Sequence, residues 1–164
     1  MYQYGDHAKE TLEQLSGKGV FLTVRSGQTV NTMTIGWGSV SQYWGEEVFI
    51  APVRFSRYTF DLLQNADEFT VSIPTRGQFD EALKLCGTLS GRDGNKLEKA
   101  GLTLKDAQTV AAPLIDGCDL YYECKVLYTT DLDKAVLDPA RAERWYADGN
   151  MHRLYFGKIL ACHR

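Results

Sequence analysis

The feature that most constrains this chain is a succession of short stretches rich in β-branched and aromatic residues. They are set apart by Gly, Ser, Asn or Pro and do not alternate regularly with long helical periods. Residues 20–25 (VFLTVR), 29–35, 47–52 (EVFIAP), 68–74 (EFTVSIP), 119–129 (DLYYECKVLYT) and 153–162 (RLYFGKILAC) all read as strands. Ser26 and Gly27 punctuate the first two as a hairpin. Alternation over 119–129 places Leu120, Tyr122, Cys124, Val126 and Tyr128 on one face, and Gly157 inside the last stretch predicts a bulge. Short helices are expected over 7–15 with Asp6 as N-cap, 57–65, 79–85, 95–100 and 141–146. Strands joined mostly by turns predict an antiparallel barrel with helical decorations rather than a doubly wound sheet. No GxGxxG follows a strand, and no GxSxG elbow is present.

At 164 residues and 44% hydrophobic content, the chain is long enough for one ordinary core, so a single domain over 1–164 is expected. The formal charge of −3, from 18 Lys+Arg against 21 Asp+Glu, gives no basic field for nucleic acid or an anionic membrane. Any positive site must be local. No apolar run reaches the roughly 20 residues of a membrane span, and the polar N-terminus does not read as a signal peptide, so a cytoplasmic location is expected. The cysteines Cys86, Cys118, Cys124 and Cys162 form no CxxC pair, and His7, His152 and His163 lack zinc-type spacing. Cys162 and His163 are neighbours on a strand and point to opposite faces. No metal site is expected.

Residues 29–59 hold the candidate pocket. Gly36 and Gly38 bracket Trp37, which reads either as a bent strand with a core tryptophan or as backbone shaped to approach a ligand. Further on, Arg54, Ser56, Arg57 and Thr59 gather ahead of Leu62 and Leu63. With Ser56 as N-cap, the start of helix 57–65 is either an anion site beside two guanidinium groups or a solvated surface helix. The loop SGRDGNK lacks P-loop spacing, and its Arg92 and Lys96 are either charge contacts or solvated.

Several ordered blocks carry a resemblance. Residues Asn31, Thr32, Met33, Thr34, Ile35, Gly36, Trp37, Gly38 and Ser39 come first, followed by Val53 and Arg54 with Ser56, Arg57, Tyr58 and Thr59. The stretch from Glu68 to Pro74 is next, then Cys86 to Asp93 with Lys96, and finally Gly157. Together these blocks resemble the flavin reductase-like, FMN-binding split-barrel family over most of the chain. The resemblance implies a Greek-key split barrel that forms a homodimer, with one FMN per protomer near the subunit interface. By position, Arg54, Ser56, Arg57 and Thr59, with Tyr58, would hold the FMN phosphate. The stretch Met33, Thr34, Gly36, Trp37 and Gly38, with Asn31, Ser39 and Ser41, would border the isoalloxazine. Ser90, Gly91 and Lys96 would close the site.

The chemistry would then belong to the flavin, which accepts hydride, and no side-chain nucleophile or general acid is needed. His152 reads either as a nicotinamide or flavin contact or as a plain surface histidine. Cys86 reads as a redox partner or as a small buried hydrophobe. The implied activity is an NAD(P)H-dependent flavin reductase, with NADH or NADPH as reductant and an unspecified electron acceptor. The alternatives are an FMN-binding electron carrier of flavoredoxin type and a split-barrel protein without a cofactor.

Overall fold

The first hairpin turns where the punctuation predicts. In the computed structural model, which describes residues 6–164, β1 (Val20–Ser26) pairs antiparallel with β2 (Thr29–Ile35). Ser26 lies opposite Thr29, and Gly27 at φ 58° supplies the turn. A second hairpin joins β3 (Ser39–Tyr43) to β4 (Glu46–Arg54) through Trp44 and Gly45, both at positive φ (55° and 76°). Strand β3 is an addition to the predicted set. It is an edge strand with no fully buried residue, so its sequence SVSQY carries none of the apolar alternation that marks half-buried strands.

The main sheet completes itself with β5 (Glu68–Ile73), β8 (Leu120–Asp131) and β9 (His152–His163). Its order is β2-β1-β5-β8-β9-β4-β3, antiparallel throughout. This mainly β sheet is curled into a split barrel around one apolar interior. Alternate residues of six strands supply that interior: Val20 and Leu22, Met33 and Ile35, Phe49 and Ala51, Phe69 and Val71, Tyr122 and Cys124, Tyr155 and Ile159. The intervening Phe21 and Tyr121 face outward. There they pack with helix α3 (Asp80–Thr88) and the two-stranded sheet of β6 (Leu104–Lys105) and β7 (Leu114–Ile115).

The bulge predicted at Gly157 lies across from it. Register shifts between Val126 and Tyr128, so the extra residue is Leu127 on β8, and the inward run ends at Val126 rather than Tyr128. Tyr128 is instead 48% exposed. Gly157 serves close packing, because a Cβ there would sit 2.5 Å from the Phe69 ring and 2.8 Å from Cys124 Cβ. A buried carboxylate, Glu123, accepts bonds from Gln108 N (2.9 Å), Thr109 N (2.6 Å), Thr109 Oγ1 (2.6 Å) and His163 Nε2 (2.9 Å), pinning the irregular segment between β6 and β7.

Several helix starts differ from expectation. Helix α1 (Ala8–Ser16) is preceded by His7 as N-cap, not Asp6, and buries Thr11 and Leu15 while Leu12 stays exposed. Thr11 Oγ1 lies 2.9 Å from the Tyr122 hydroxyl, fastening the helix across the barrel. Helix α2 is only Tyr58–Leu62, and its N-cap is Arg57, not Ser56, with no side-chain cap. Helices α4 (Lys96–Lys99) and α5 (Pro139–Tyr146) fall where helices are expected, but α5 begins at Pro139 rather than at 141, because Asp138 caps it. Asn95 accepts from Glu98 N, and Asp138 accepts from Arg141 N just ahead of Pro139. No helix among the described residues is long and apolar enough to cross a membrane.

Candidate functional site

Two adjoining clefts open where β2, β4 and β9 meet the helices, and Arg57 lines both. The first, about 200 Å³, is walled by the end of β2 (Met33, Thr34, Ile35), by Gly36 and Trp37, by Pro52 and Arg54 of β4, and by Trp145 and His152. Trp37 is no core residue. It is 40% exposed, with Trp145 edge-on at 5.1 Å and the His152 ring at 5.0 Å. Gly38, at φ 157°, turns the chain away here, since a Cβ would meet Ile50 O at 3.1 Å.

His152 is not a surface histidine. It is 8% exposed, and burial, aided by the charge of Arg54, pushes its pKa down to about 4, so the ring in this cleft is neutral near pH 7. Arg54 itself is committed to the chain. Its Nη1 donates to Asn150 O (2.6 Å) and its Nη2 to Trp145 O (3.0 Å), holding the end of α5 and the following turn against β4. Asn150 completes the clasp, donating to Ser56 Oγ (2.7 Å) and accepting from Ser56 N (3.3 Å).

The second cleft, about 120 Å³, is cationic. Asn31, Ser56, Tyr58, Thr88, Leu89, Ser90, Arg92 and Lys96 line it with Arg57. Neither cleft alone reaches the ~300 Å³ of an ordinary small-molecule site, and Arg57 is the residue common to their walls. The arginine donates to Gly87 O (3.0 Å) and Cys86 O (3.1 Å), and Lys96 Nζ to Cys86 O (3.3 Å) and Thr32 O (3.0 Å). These carbonyls of Cys86 and Gly87 belong to the last turn of α3, where the helix leaves acceptors unsatisfied and its dipole end is negative. The cations are thus held by a helix C-terminus rather than by carboxylates, and each keeps donors to spare.

Burial pushes the Lys96 ammonium down to about 8, with the charge of Arg57 adding to the effect, and burial also lowers Arg57. Arg92 spans the rim, bonded to Ser56 O (3.0 Å) and the Asp61 carboxylate, with its guanidinium carbon 5.3 Å from the centre of the Tyr58 ring. The turn carrying Gly91 fits closely, since a Cβ there would lie 2.2 Å from Asn31 Oδ1 and 2.7 Å from the Tyr58 ring. Asn31 in turn donates to Thr59 Oγ1 (2.9 Å) behind the cleft.

The structure therefore gathers Met33, Thr34, Gly36, Trp37, Arg54 and His152 at one cleft, and Asn31, Ser56, Tyr58, Ser90 and Lys96 at the other, with Arg57 shared. Thr59 and Gly91 support the second cleft from behind. Arg54 and Arg57 both border the first cleft, and only Arg57 reaches the second. Ser39 and Ser41 pair with Ile50 and Val48 on the edge hairpin and, like Gly38, line neither cleft. Sequence reasoning missed Trp145, Asn150, Pro52, Thr88 and Leu89. For Trp145 a signal existed: a tryptophan at the end of a polar, well-capped helix has no core to enter. Cys86 is fully buried, and burial pushes its thiol up to about 11 against the opposing pull of Lys96 and Arg57. It is a small hydrophobe here, and its carbonyl rather than its sulfur serves the site.

Comparison with known proteins converges on one group. A family model described as "Flavin reductase like domain" matches residues 13–164. An uncharacterized protein of Archaeoglobus fulgidus is 34% identical over 116 residues, 71% of this chain and 64% of its own length, so the chain spans less than two thirds of that relative. Among solved structures, the NADH:FAD oxidoreductase of Streptomyces globisporus C-1027 superposes with a TM-score of 0.69 at 17% identity, covering 100% of this chain and 87% of its own. The flavoredoxin of Desulfovibrio vulgaris (Miyazaki F) gives 0.68 at 18% identity over 88% of this chain and 68% of its own. At such identities the likeness to the solved structures is one of fold.

Proposed function

Because this chain belongs to the flavin reductase-like family, we propose that it binds FMN across its two clefts and passes electrons from NADH or NADPH to an acceptor through that flavin. The observation that carries the reading is the pairing of an aromatic-walled cleft with a cationic one, joined at Arg57. A phosphate-bearing planar ligand needs both. Arg57, Lys96 and Arg92 hold the phosphate, with Ser56, Tyr58 and Ser90 beside them. The ring lies against the backbone of residues 33–37, where Gly36 leaves the main chain open to contact. Tight seating of Gly91 on Asn31 and Tyr58 supports the same assignment, because it fixes the turn that presents Ser90 and Arg92.

When bound, the flavin supplies the hydride chemistry. The chain's own part is to bind, to orient and to keep water from the ring. His152, neutral and facing the aromatic cleft, offers a nicotinamide contact that brings no charge to the site. One observation favours the second reading, an electron carrier without a nicotinamide site: Trp145 stands edge-on to Trp37 and takes up part of the mouth at which a nicotinamide would stack. Exposed Trp37 (40%) and Trp145 (41%) at that mouth also support a homodimer whose second subunit covers the flavin edge.

The decisive measurement is the absorbance of the protein after addition of FMN and gel filtration. A bound flavin spectrum is expected, and a colourless protein defeats the proposal. Anaerobic bleaching of that flavin by NADH or NADPH separates reductase from carrier, since a carrier bleaches with dithionite alone. Sedimentation equilibrium with FMN decides the dimer.

A further inference from the structure

One side-chain pair beside the aromatic cleft has no part in flavin binding as described. Tyr146, the last residue of α5, is 3% exposed, and its hydroxyl lies 2.7 Å from His152 Nδ1 at the start of β9. Among the described residues no other group bonds that hydroxyl. If it only accepted a proton from Nδ1, its own buried proton would lack an acceptor, a situation folded proteins avoid. The hydroxyl therefore donates, and Nδ1 accepts through its lone pair.

A neutral imidazole with Nδ1 unprotonated carries its proton on Nε2. The charged and titratable groups facing the ring are Arg54, opposite His152 on β4 and 5.1 Å from the Tyr146 ring centre, and Tyr146 itself. Arg54, with burial, disfavours an imidazolium. The buried side-chain polar atoms without partners among the described residues are Asp80 Oδ1 and Tyr155 Oη, so His152 Nε2 is not sealed in the core. His152 lines the aromatic cleft, the open space beside the ring.

We infer that Tyr146 is a positioning residue, fixing His152 in the Nε2–H tautomer so that the aromatic cleft presents one uncharged hydrogen-bond donor to a neutral carbonyl, such as the carboxamide of a reduced nicotinamide. The tautomer follows from the fold, and the carboxamide rests on the nicotinamide reading above. The pairing also explains why Tyr146 and Trp145 sit together at the end of α5. One closes the cleft and the other sets the donor within it.

Nitrogen-15 spectra of the FMN-loaded protein labelled at histidine test the inference directly. At neutral pH, His152 is expected to show a protonated Nε2 and an unprotonated Nδ1. In Tyr146→Phe, which keeps the ring and loses only the hydroxyl, a mixture of tautomers is expected. The KM for NADH should then rise about 3- to 10-fold, the worth of one hydrogen bond, while kcat and the FMN dissociation constant stay within about twofold. A wild-type ring carrying its proton on Nδ1 overturns the inference, as does a Tyr146→Phe enzyme with unchanged KM. Should neither NADH nor NADPH reduce the flavin, the nicotinamide reading falls, and the wild-type spectrum still decides the tautomer.

Discussion

Arg57 and Lys96 each do two jobs, and the jobs pull apart experimentally. Arg57 ties the last turn of α3 through Cys86 O and Gly87 O, and it lines both clefts. Arg57→Ala is expected to weaken FMN at least about tenfold, since charge-assisted bonds are worth roughly 1.5–3 kcal/mol, while riboflavin, lacking the phosphate, loses far less. Fluorescence titration of both flavins checks this, and equal losses would remove the phosphate assignment. Lys96 adds a pH dependence. Its folded pKa of about 8 lies below its ordinary 10.5, so the folded protein releases a proton at a lower pH than the unfolded chain. Burying the ammonium costs stability below about pH 8, and the cost is relieved as pH rises toward 10.5. A bound phosphate needs that proton, so FMN affinity is expected to fall between pH 7 and 9 while riboflavin affinity stays level. Lys96→Met should abolish the difference.

At the scale of elements, the site depends on a clasp between the start of α2 and the turn after α5. Helix α2 has five residues and no side-chain cap, so its own dipole contributes little, and the segment before it is fixed instead by Asn150 and Arg54. Asn150→Ala removes both bonds to Ser56. The expected result is a loss of about 1 kcal/mol in stability, with faster hydrogen exchange confined to residues 54–58 and 145–151. Exchange mass spectrometry reads this directly, and uniform change across the barrel would show that the clasp is not a separate unit.

For the whole molecule, acid is expected to destabilise the fold through two buried groups. His152 is buried neutral, with a folded pKa of about 4 against its ordinary 6.5. Its contribution is therefore intact above about pH 6.5 and is lost as pH falls toward 4, an effect of about 3 kcal/mol. Glu123 adds to the loss lower down. Burial works to raise its pKa, but the bonds from Gln108, Thr109 and His163 outweigh it and hold the carboxyl below 4.5. Stability from Glu123 is present above that value and disappears on further acidification. Urea unfolding at pH 7, 5.5 and 4.5 is expected to show a steady decline, which His152→Gln should flatten down to about pH 4.5. Against a typical total of roughly 5–15 kcal/mol, the histidine alone is a substantial share.

The sequence by itself determined six of the strands, most of their alternation, the Gly27 turn and the presence of helices at α4 and α5, because each is set by a period or a turn spanning a few residues. It also marked Arg57, Ser56 and Lys96 as chemically distinctive. What it left open depended on contacts between distant segments. Trp37 lies outside the core because α5 docks there, through an Arg54 bond to Trp145 O spanning 91 positions. Ser56 yields the cap to Arg57 because its polar groups are engaged by Asn150. Arg54 and Arg57, three residues apart in the chain, are tied to different elements, one to the end of α5 and the other to the end of α3, although both border the aromatic cleft. Strand order brings β9 beside β4, and with it His152 to the aromatic cleft, where Tyr146 of α5 meets it. Local pattern records which side chains are available, whereas the packing of the sheet against its helices decides which of them meet.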